Sequence, residues 1–314
     1  MRFLVLGAGA IGGYFGAKLA QGGADITFLV RPRRAAQLAE HGLVLKAHEG
    51  ETRMVVKTVQ AGGIDASYDV VLLCCKAYDL PDAITAIAPA IGPGSAILPF
   101  LNGIRHLDML AERFGPSHVL GGLTAVNAAL GTRGEVLQSP VKVDMTAFGE
   151  TDGSPSDRCT RIAHAFAAAG VKASLSATVL DTMWTKFAAF SAAAAVATLC
   201  RSRAGAIAAA ATSARLVDTA LDETRRVAVA YGHGLPDGVA DMVRGLFCQP
   251  ASTYGPSILV DMEQGRLTEG EHTIGDMVAK ADHHGVAVPV LAAALCNLQV
   301  YERARTGQRA TVAA

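Results

Sequence analysis

The stretch Met1-Arg-Phe-Leu-Val-Leu-Gly7-Ala-Gly9-Ala-Ile-Gly12 decides the fold, because it joins an apolar run to a Gly-x-Gly-x-x-Gly pattern. Residues 2–6 have the composition of a short buried strand, and residues 11–19 continue at helical spacing. In such a unit the first glycine permits a tight turn, the second admits a diphosphate and the third allows close helix packing. An ordinary glycine-rich turn would share this pattern. The context nevertheless predicts a dinucleotide site formed by Gly7, Ala8, Gly9, Ala10, Ile11 and Gly12.

The end of the second predicted strand, residues 25–30, indicates which dinucleotide binds. A site selective for NAD would carry a carboxylate there, about 20 residues beyond the glycines. This chain carries Arg31 instead, followed by Arg33 and Arg34. Because a guanidinium can hold a 2′-phosphate through two hydrogen bonds, the sequence favours NADP with Arg31 as a ligand. Arg33 and Arg34 are also compatible with a solvated start of the next helix.

Composition bounds the class of protein. The 314 residues are 51% hydrophobic, which is enough for two domains with sizeable cores. The formal net charge is +0, so nothing indicates binding to nucleic acid or to an anionic membrane, and a small-molecule partner is expected. The six cysteines and nine histidines show no metal-ligand spacing, which favours reduced, mostly buried thiols in a cytoplasmic protein without a metal. The composition is compatible with a homodimer.

The two halves of the chain differ in their pattern. Strands and helices alternate up to residue 176, which predicts an NADP-binding Rossmann domain at 1–176 with a doubly wound parallel sheet. From residue 177 the strand signals vanish, which predicts an all-helical substrate and catalytic domain at 177–314, with a cleft between the domains. The apolar stretch 187–200 is predicted to be a buried helix that is too short to span a bilayer.

The individual elements follow from the same periodicities. The predicted strands lie at 2–6, 25–30, 69–75, 95–101, 118–126, 135–138, 143–148 and 171–175. The predicted helices lie at 11–22, 33–41, 79–88, 156–169, 178–201, 204–231, 236–248, 256–264, 269–284 and 289–305.

Polar residues at the ends of predicted strands are candidate ligands, because small molecules bind at that edge of such sheets. Lys76 follows the strand at 69–75 and is a candidate for the cofactor phosphates. Asn102 and Gly103 follow the strand at 95–101 and are candidates for contact with the nicotinamide ribose and the substrate. Position alone also fits ordinary loop residues.

Lys186 is the most informative charged residue in the helical half. It begins a run that stays uncharged for over three turns. Such a lysine either extends to solvent or lines a pocket, and in a pocket desolvation would lower its pKa toward a range useful for acid–base chemistry.

A polar cluster follows at Ser257, Asp261 and Glu269. Ser257 and Asp261 are one helical turn apart on a short predicted helix. Simple structural roles are available, with Ser257 as a helix cap and Glu269 in the first turn of a helix that opens with a Thr268-x-x-Glu271 capping box.

Together these residues resemble the ketopantoate reductase (2-dehydropantoate 2-reductase) family along nearly the whole chain. The carriers of the resemblance are Gly7-x-Gly9-x-x-Gly12, Arg31, Lys76, Asn102-Gly103, Trp184-x-Lys186, Ser257-x-x-x-Asp261, Gly265-Arg-x-Thr268-Glu269 and Gly285-Val-Ala-Val-Pro289. The resemblance implies NADPH-dependent reduction of a 2-oxo acid to a 2-hydroxy acid. It implies that Lys186 is the general acid, that Glu269 is an active-site carboxylate, that Ser257 binds the substrate carboxylate and that Asn102 positions substrate and cofactor.

The chain departs from the family where the substrate would bind. Family members carry asparagines one and two turns after the catalytic lysine, and here Phe190 and Ala194 occupy these positions. Tyr254 replaces another asparagine just before the serine. Phe190 and Tyr254 are therefore expected to line a more apolar substrate site. A 2-oxo acid with a bulkier or less polar tail is as compatible with this chain as ketopantoate.

Two other functions remain open at this point. An imine or opine-type reductase could use the same two domains, since a fold does not fix a function. A catalytically silent NADP-binding redox sensor is also compatible with the missing asparagines, although Lys186 and Glu269 are both retained.

Overall fold

A computed structural model describes residues 1–139 and 145–312, which divide into two compact units. The first comprises residues 1–101 and 106–180, and the second comprises residues 102–105 and the chain from residue 181 onward. The sequence placed the division at 176/177 and gave no indication that the short segment 102–105 groups with the helical unit.

The first unit contains twelve strands and five helices among the described residues. The strands are β1 (Arg2–Leu6), β2 (Asp25–Leu29), β3 (Leu43–Ala47), β4 (Gly50–Met54), β5 (Lys57–Val59), β6 (Val70–Leu73), β7 (Ala96–Pro99), β8 (Leu120–Thr124), β9 (Ala128–Leu130), β10 (Val136–Gln138), β11 (Thr146–Glu150) and β12 (Ala173–Leu175). The helices are α1 (Ala10–Gln21), α2 (Pro32–His41), α3 (Leu80–Ile87), α4 (Arg105–Phe114) and α5 (Asp157–Ala168).

The central sheet has five parallel strands in the order β5-β2-β1-β6-β7, which confirms the predicted Rossmann-type domain. Leu6 pairs with Leu29 on one side and with Leu73 on the other, so the carboxyl ends of β1, β2 and β6 are level. The chain segments that follow these strands are therefore neighbours along one edge of the sheet. Phe15 and Phe100 lie 4.7 Å apart in the core that α1 covers.

The antiparallel part of this unit was not predicted. β3 pairs antiparallel with β4 in a four-stranded sheet of order β4-β3-β10-β9, and β8 pairs antiparallel with β11. Strands β3, β4, β5 and β9 and helix α4 were missed. β4 and β5 were not predicted because most of their residues are exposed and neither strand has an apolar run. Of the strand predicted at 143–148, residues 143–144 lie outside the described residues.

The second unit is helical, as predicted. Its elements are α6 (Val179–Cys200), α7 (Ala204–Ala208), α8 (Ser213–Ala230), α9 (Val239–Leu246), α10 (Ser257–Glu263), a π-helical turn (Glu271–Gly275), α11 (Asp276–His283) and α12 (Pro289–Val312). The helix predicted at 204–231 is in fact two helices, α7 and α8. Their separation is a tertiary effect, because the N–H groups of Ala204 and Gly205 donate to the carbonyls of Tyr254 and Ser252 and hold α7 against that segment.

α6 is the central helix of this unit. By length and composition its 22 residues could cross a membrane, because the helix, predicted at 178–201, adds residues 179–186 to the apolar stretch 187–200. However, 72% of its most apolar window is buried inside the protein, as expected for a core helix. Its small residues Ala189 and Ala193 pack against Ile207 and Val217.

The cysteines are less buried than the sequence suggested. All six are free thiols, but Cys159 alone is buried while Cys200, Cys248 and Cys296 are exposed. The expectation of mostly buried thiols was therefore wrong, because several cysteines lie on the outward faces or at the ends of helices.

Candidate active site

The glycine-rich turn between β1 and α1 has the geometry that the pattern predicts. Gly7 has a φ of +92°, which favours glycine, and its N–H donates to the Leu29 carbonyl at 3.0 Å. A Cβ on Gly12 would lie 1.9 Å from the Gly7 carbonyl oxygen, so no larger residue fits without moving the backbone. The absence of a side chain at residue 12 therefore allows β1 and α1 to approach closely.

The turn also leaves room for a diphosphate. Gly9 is the N-cap residue of α1, and a Cβ built on it meets no heavy atom within 4 Å. The N–H groups of the first helical turn, including those of Ala10 and Ile11, have no acceptor within the helix, and the helix dipole adds partial positive charge. Ala8 is buried behind the turn. The residues present therefore fit the diphosphate of a dinucleotide.

Arg31 follows β2 and is the N-cap residue of α2. Its side chain is exposed, and its Nη2 donates to Oδ1 of Asp79 at 2.7 Å. This bond to Asp79 raises the pKa of Arg31 above its ordinary value. Arg31 is thus a charged, accessible guanidinium at the edge of the sheet, and an incoming phosphate would share it with Asp79.

Arg34, on the first turn of α2, is not the solvated residue that the sequence allowed. It is partly buried, and its Nε donates to the Ala8 carbonyl of the glycine-rich turn at 3.0 Å. Arg33, its neighbour, is exposed as expected. The spacing of the three arginines gave no means of telling them apart, because the contact depends on how α2 packs beside the turn.

Lys76 lies just beyond the end of β6, where it precedes a short 3₁₀ turn at 77–79 and is partly buried. The same strand end contacts the glycine-rich turn, since a Cβ on Gly12 would lie 3.2 Å from Cβ of Cys74. Lys76 is therefore carried to the sheet edge that also holds the turn. Burial raises the pKa of the Cys74 thiol well above its ordinary value, which makes this neighbour unreactive.

In the second unit, Lys186 on α6 lines a polar site rather than extending to solvent. Its Nζ donates to Oδ1 of Asn102 at 3.2 Å. Burial lowers the pKa of Lys186 from its ordinary value to about 8, an effect that the nearby Glu269 carboxylate partly opposes. Glu269 itself is buried. The structure thus brings together three predicted site residues that are far apart in the sequence.

The segment that carries Asn102 rests on the π-helical turn. Gly103 has a φ of +78°, and a Cβ on it would lie 2.8 Å from the carbonyl oxygen of His272. The absent side chain lets the backbone next to Asn102 approach this turn closely. Interruptions of this kind in a helix are common at functional sites.

His272 is a site neighbour that sequence reasoning missed. It is buried, and burial lowers its pKa to about 4, against the influence of Glu269. The imidazole is therefore neutral near pH 7. No local pattern marks His272, because its place depends on the π-helical turn and on the packing of the Asn102–Gly103 segment.

The residues that replace the expected asparagines differ in their burial. Tyr254 packs its ring edge-on to Phe247 at 6.1 Å, and burial raises the pKa of Tyr254 to about 12. Phe190 is partly buried, whereas Ala194 is completely buried. Whether Tyr254 and Phe190 contact a substrate stays a prediction.

The third predicted cluster does not stay together as a unit, since Glu269 lies near Lys186 while Asp261 is held by Arg266. Asp261 is buried and accepts a hydrogen bond from Nε of Arg266 at 2.8 Å. Ser257 is not the helix cap, because Pro256 occupies that position. Ser257 is exposed.

The capping box expected at Thr268-x-x-Glu271 does not form. The Thr268 N–H donates to Oε1 of Glu302 on α12 at 2.8 Å, and Glu271 accepts from Gln299. Contacts with α12 therefore take up both partners, and Glu269 is left inside the unit rather than at an exposed helix start.

This arrangement can transfer a proton. An ammonium group with a pKa of about 8, oriented by an amide oxygen and influenced by a buried carboxylate, suits a general acid at neutral pH. It can also stabilise negative charge that develops on a bound oxygen.

Comparison with known proteins agrees with these features. Residues 3–153 match the family described as "Ketopantoate reductase PanE/ApbA", and residues 178–302 match "Ketopantoate reductase PanE/ApbA C terminal". The chain is 34% identical to the "Uncharacterized oxidoreductase YkpB" of Bacillus subtilis, over 96% of this chain and 99% of that protein.

Two solved structures share the fold. A PanE/ApbA family ketopantoate reductase from Ralstonia eutropha has a TM-score of 0.88 at 24% identity, covering 98% of this chain and 100% of that one. A D-mandelate dehydrogenase with NADH and anilino(oxo)acetate has a TM-score of 0.87 at 21% identity, with the same coverage. Because both family models match and the Bacillus subtilis relative aligns along nearly its whole length, the chain belongs to the ketopantoate reductase family of oxidoreductases.

Proposed function

We propose that this protein catalyses the NADPH-dependent reduction of a 2-oxo acid to a 2-hydroxy acid. The substrate is ketopantoate (2-dehydropantoate) or a related 2-oxo acid with a bulkier, less polar tail. The observation that carries this proposal is the Lys186 ammonium group, which has a pKa of about 8 and lies 3.2 Å from the Asn102 amide oxygen. Residues 1–176 would bind the nucleotide and residues 177–314 would supply the catalytic lysine, in the cytoplasm.

The residues of the second unit account for the proton in this reaction. When bound, the reduced nicotinamide would supply the hydride for the ketone carbon. Lys186 donates its proton to the carbonyl oxygen, which gains negative charge as the carbon–oxygen double bond becomes a single bond. Asn102 orients Nζ by accepting its hydrogen bond. Glu269 raises the pKa of Lys186 and so keeps more of the lysine protonated at neutral pH.

The residues of the first unit would hold the cofactor. Gly9 and the first turn of α1 would receive the diphosphate, and Lys76 would approach the phosphates from the end of β6. Arg31 supports NADP as the cofactor, because it places an exposed guanidinium rather than a carboxylate after β2. Its hydrogen bond to Asp79 uses one N–H group of Nη2, and a guanidinium has five N–H groups, so others can bind a 2′-phosphate.

The substrate wall supports a less polar tail than that of ketopantoate. Phe190 and Tyr254 would contact the tail, and neither offers the side-chain amide that family members place there. Ser257 would bind the carboxylate, since its exposed hydroxyl is accessible to a ligand.

The test is a panel of 2-oxo acids measured by oxidation of the reduced cofactor. Ketopantoate, a branched 2-oxo acid and an aromatic 2-oxo acid are each supplied with NADPH and with NADH. We expect turnover with NADPH in preference to NADH. Turnover only after an amine is added would replace the proposal by an imine or opine-type reductase, and tight NADPH binding without any turnover would replace it by a redox sensor.

A matched variant sharpens the substrate assignment. Phe190→Asn introduces the amide that the family carries one turn after the lysine. We expect this variant to improve kcat/KM for ketopantoate relative to the aromatic 2-oxo acid. An unchanged ratio between the two substrates would show that residue 190 does not contact the tail.

A further inference from the structure

Arg34 lies between three parts of the first unit. Its Nε donates to the Ala8 carbonyl in the glycine-rich turn, and its Nη1 donates to Oε1 of Gln37. Gln37 in turn donates to the Arg133 carbonyl at 2.8 Å. A Cβ on Gly134 would lie 2.3 Å from Nη1 of Arg34, so the loop before β10 closes directly over the guanidinium. The side chain is thus fixed by its surroundings.

The bond to Ala8 determines the orientation of another group. The Ala8 carbonyl and the Gly9 N–H belong to one planar trans peptide unit and point in opposite directions. Fixing the carbonyl therefore fixes the N–H at the start of α1. The first hydrogen bond within α1 runs from Gly13 N–H to the Gly9 carbonyl, so the helix itself does not hold the Ala8 carbonyl.

The charge of Arg34 also lacks a local carboxylate. Among residues 1–139 and 145–307, no ion pair neutralises Arg34, in contrast to Arg31, which is paired with Asp79. Its Nη2 is buried and has no hydrogen-bond partner in the described part of the chain. Burial lowers the pKa of Arg34, which shows the cost of keeping this charge where it is. A partly buried cation without an ion pair is stabilised when an anion binds nearby.

We propose that Arg34 is a positioning residue for the dinucleotide, one that holds the Ala8–Gly9 peptide in the orientation that receives the diphosphate and places positive charge behind it. This inference rests on the proposed nucleotide-binding function of the turn. The diphosphate is common to NADPH and NADH, whereas a 2′-phosphate is present only in NADPH. Arg34 therefore acts on both cofactors, and Arg31 acts on NADPH alone.

The experiment measures the Kd values of NADPH and NADH by titration calorimetry for the wild-type protein and for Arg34→Met, Arg31→Met and Arg33→Met. Arg33 is the matched control, since it is exposed on the same helical turn. We expect Arg34→Met to weaken both cofactors by about tenfold or more, because a charge-assisted contact contributes about 1.5–3 kcal/mol. Arg31→Met should weaken NADPH only, and Arg33→Met should change neither Kd.

The outcomes separate this inference from the proposed function. If the wild-type protein binds neither nucleotide, both fail. If it binds them and folded Arg34→Met has both Kd values within about twofold of wild type, a difference well under 1.4 kcal/mol, only the role of Arg34 is refuted. A loss confined to NADPH also refutes it, since Arg34 would then be a 2′-phosphate ligand.

A second variant covers the case in which Arg34→Met does not fold. Arg34→Lys keeps the charge but not the planar guanidinium that bonds Ala8 and Gln37 together. We expect a smaller, parallel loss of affinity for both cofactors. A lowered melting temperature with unchanged Kd values would indicate a purely structural residue and would overturn the proposal.

Discussion

The glycine-rich turn and the Lys186 site are built in opposite ways. The turn consists of residues 7–12, and it works through backbone groups and missing side chains. The Lys186 site is made of side chains, and its hydrogen bond joins residues 84 positions apart in the chain. A site made from consecutive residues is visible in a sequence as a pattern. A site assembled from distant residues can be identified only by its individual members.

The largest expected effect comes from removing the ammonium group. Lys186→Ala should lower kcat by about 10²–10⁴-fold, because positioned proton transfer is lost. The Kd of NADPH should not change, because the diphosphate is proposed to bind at the glycine-rich turn and not at Lys186. Stopped-flow or steady-state oxidation of NADPH measures the first effect, and calorimetry the second. The control is Lys172→Ala, which removes an exposed lysine and should leave kcat unchanged. Near-normal turnover in Lys186→Ala would show that Lys186 is not the general acid.

Two alanine substitutions test whether the glycine-rich turn requires positions without a side chain. Gly9→Ala should leave the melting temperature unchanged, since its Cβ meets no protein atom within 4 Å, but should weaken nucleotide binding by about tenfold because the methyl group occupies the diphosphate side. Gly12→Ala should lower the melting temperature itself, because its Cβ would lie 1.9 Å from a backbone oxygen. Equal effects of the two variants on stability would contradict this account.

The third prediction concerns the helices that support the Lys186 site. Glu223 of α8 is completely buried, and its two carboxylate oxygens accept the N–H groups of Val290 and Leu291 at the start of α12. Glu223→Ala should lower the free energy of unfolding by about 1–3 kcal/mol, since one buried and one partly buried N–H group lose their acceptor. Chemical denaturation measures the loss. Glu263→Ala removes a surface ion pair with Arg203 and should cost about 1 kcal/mol or less.

The smallest expected effect is a shift along the pH axis. Reduction needs protonated Lys186, so the rate should fall as the pH rises through about 8. Glu269 raises the pKa of Lys186, so Glu269→Gln should lower that pKa and move the falling limb of the profile to lower pH. The pH dependence of kcat with saturating NADPH tests the direction. Glu271→Gln, which removes an exposed carboxylate two residues away, should leave the limb in place.

Part of the Lys186 site was accessible to sequence reasoning. Lys186 stood out as a charge before a long uncharged run, Asn102 as a polar residue after a predicted strand and Glu269 as a member of a polar cluster. The family resemblance assigned all three to one site. His272 was missed because nothing in its local sequence shows that it packs under Gly103. Ser257 and Asp261 were grouped because they are one turn apart, but Asp261 is committed to Arg266, which the spacing could not reveal.

The sequence by itself determined the Rossmann-type sheet, the helical second unit and the glycine-rich turn, because each depends on local periodicity or on consecutive residues. Only the tertiary structure decided which polar groups meet. It separated Arg34 from Arg33, lowered the pKa of Lys186 by burial and divided the helix predicted at 204–231. The physical reason is that burial, hydrogen-bond partners and charge pairing depend on residues far away in the chain, whereas turns and helix faces depend on their neighbours.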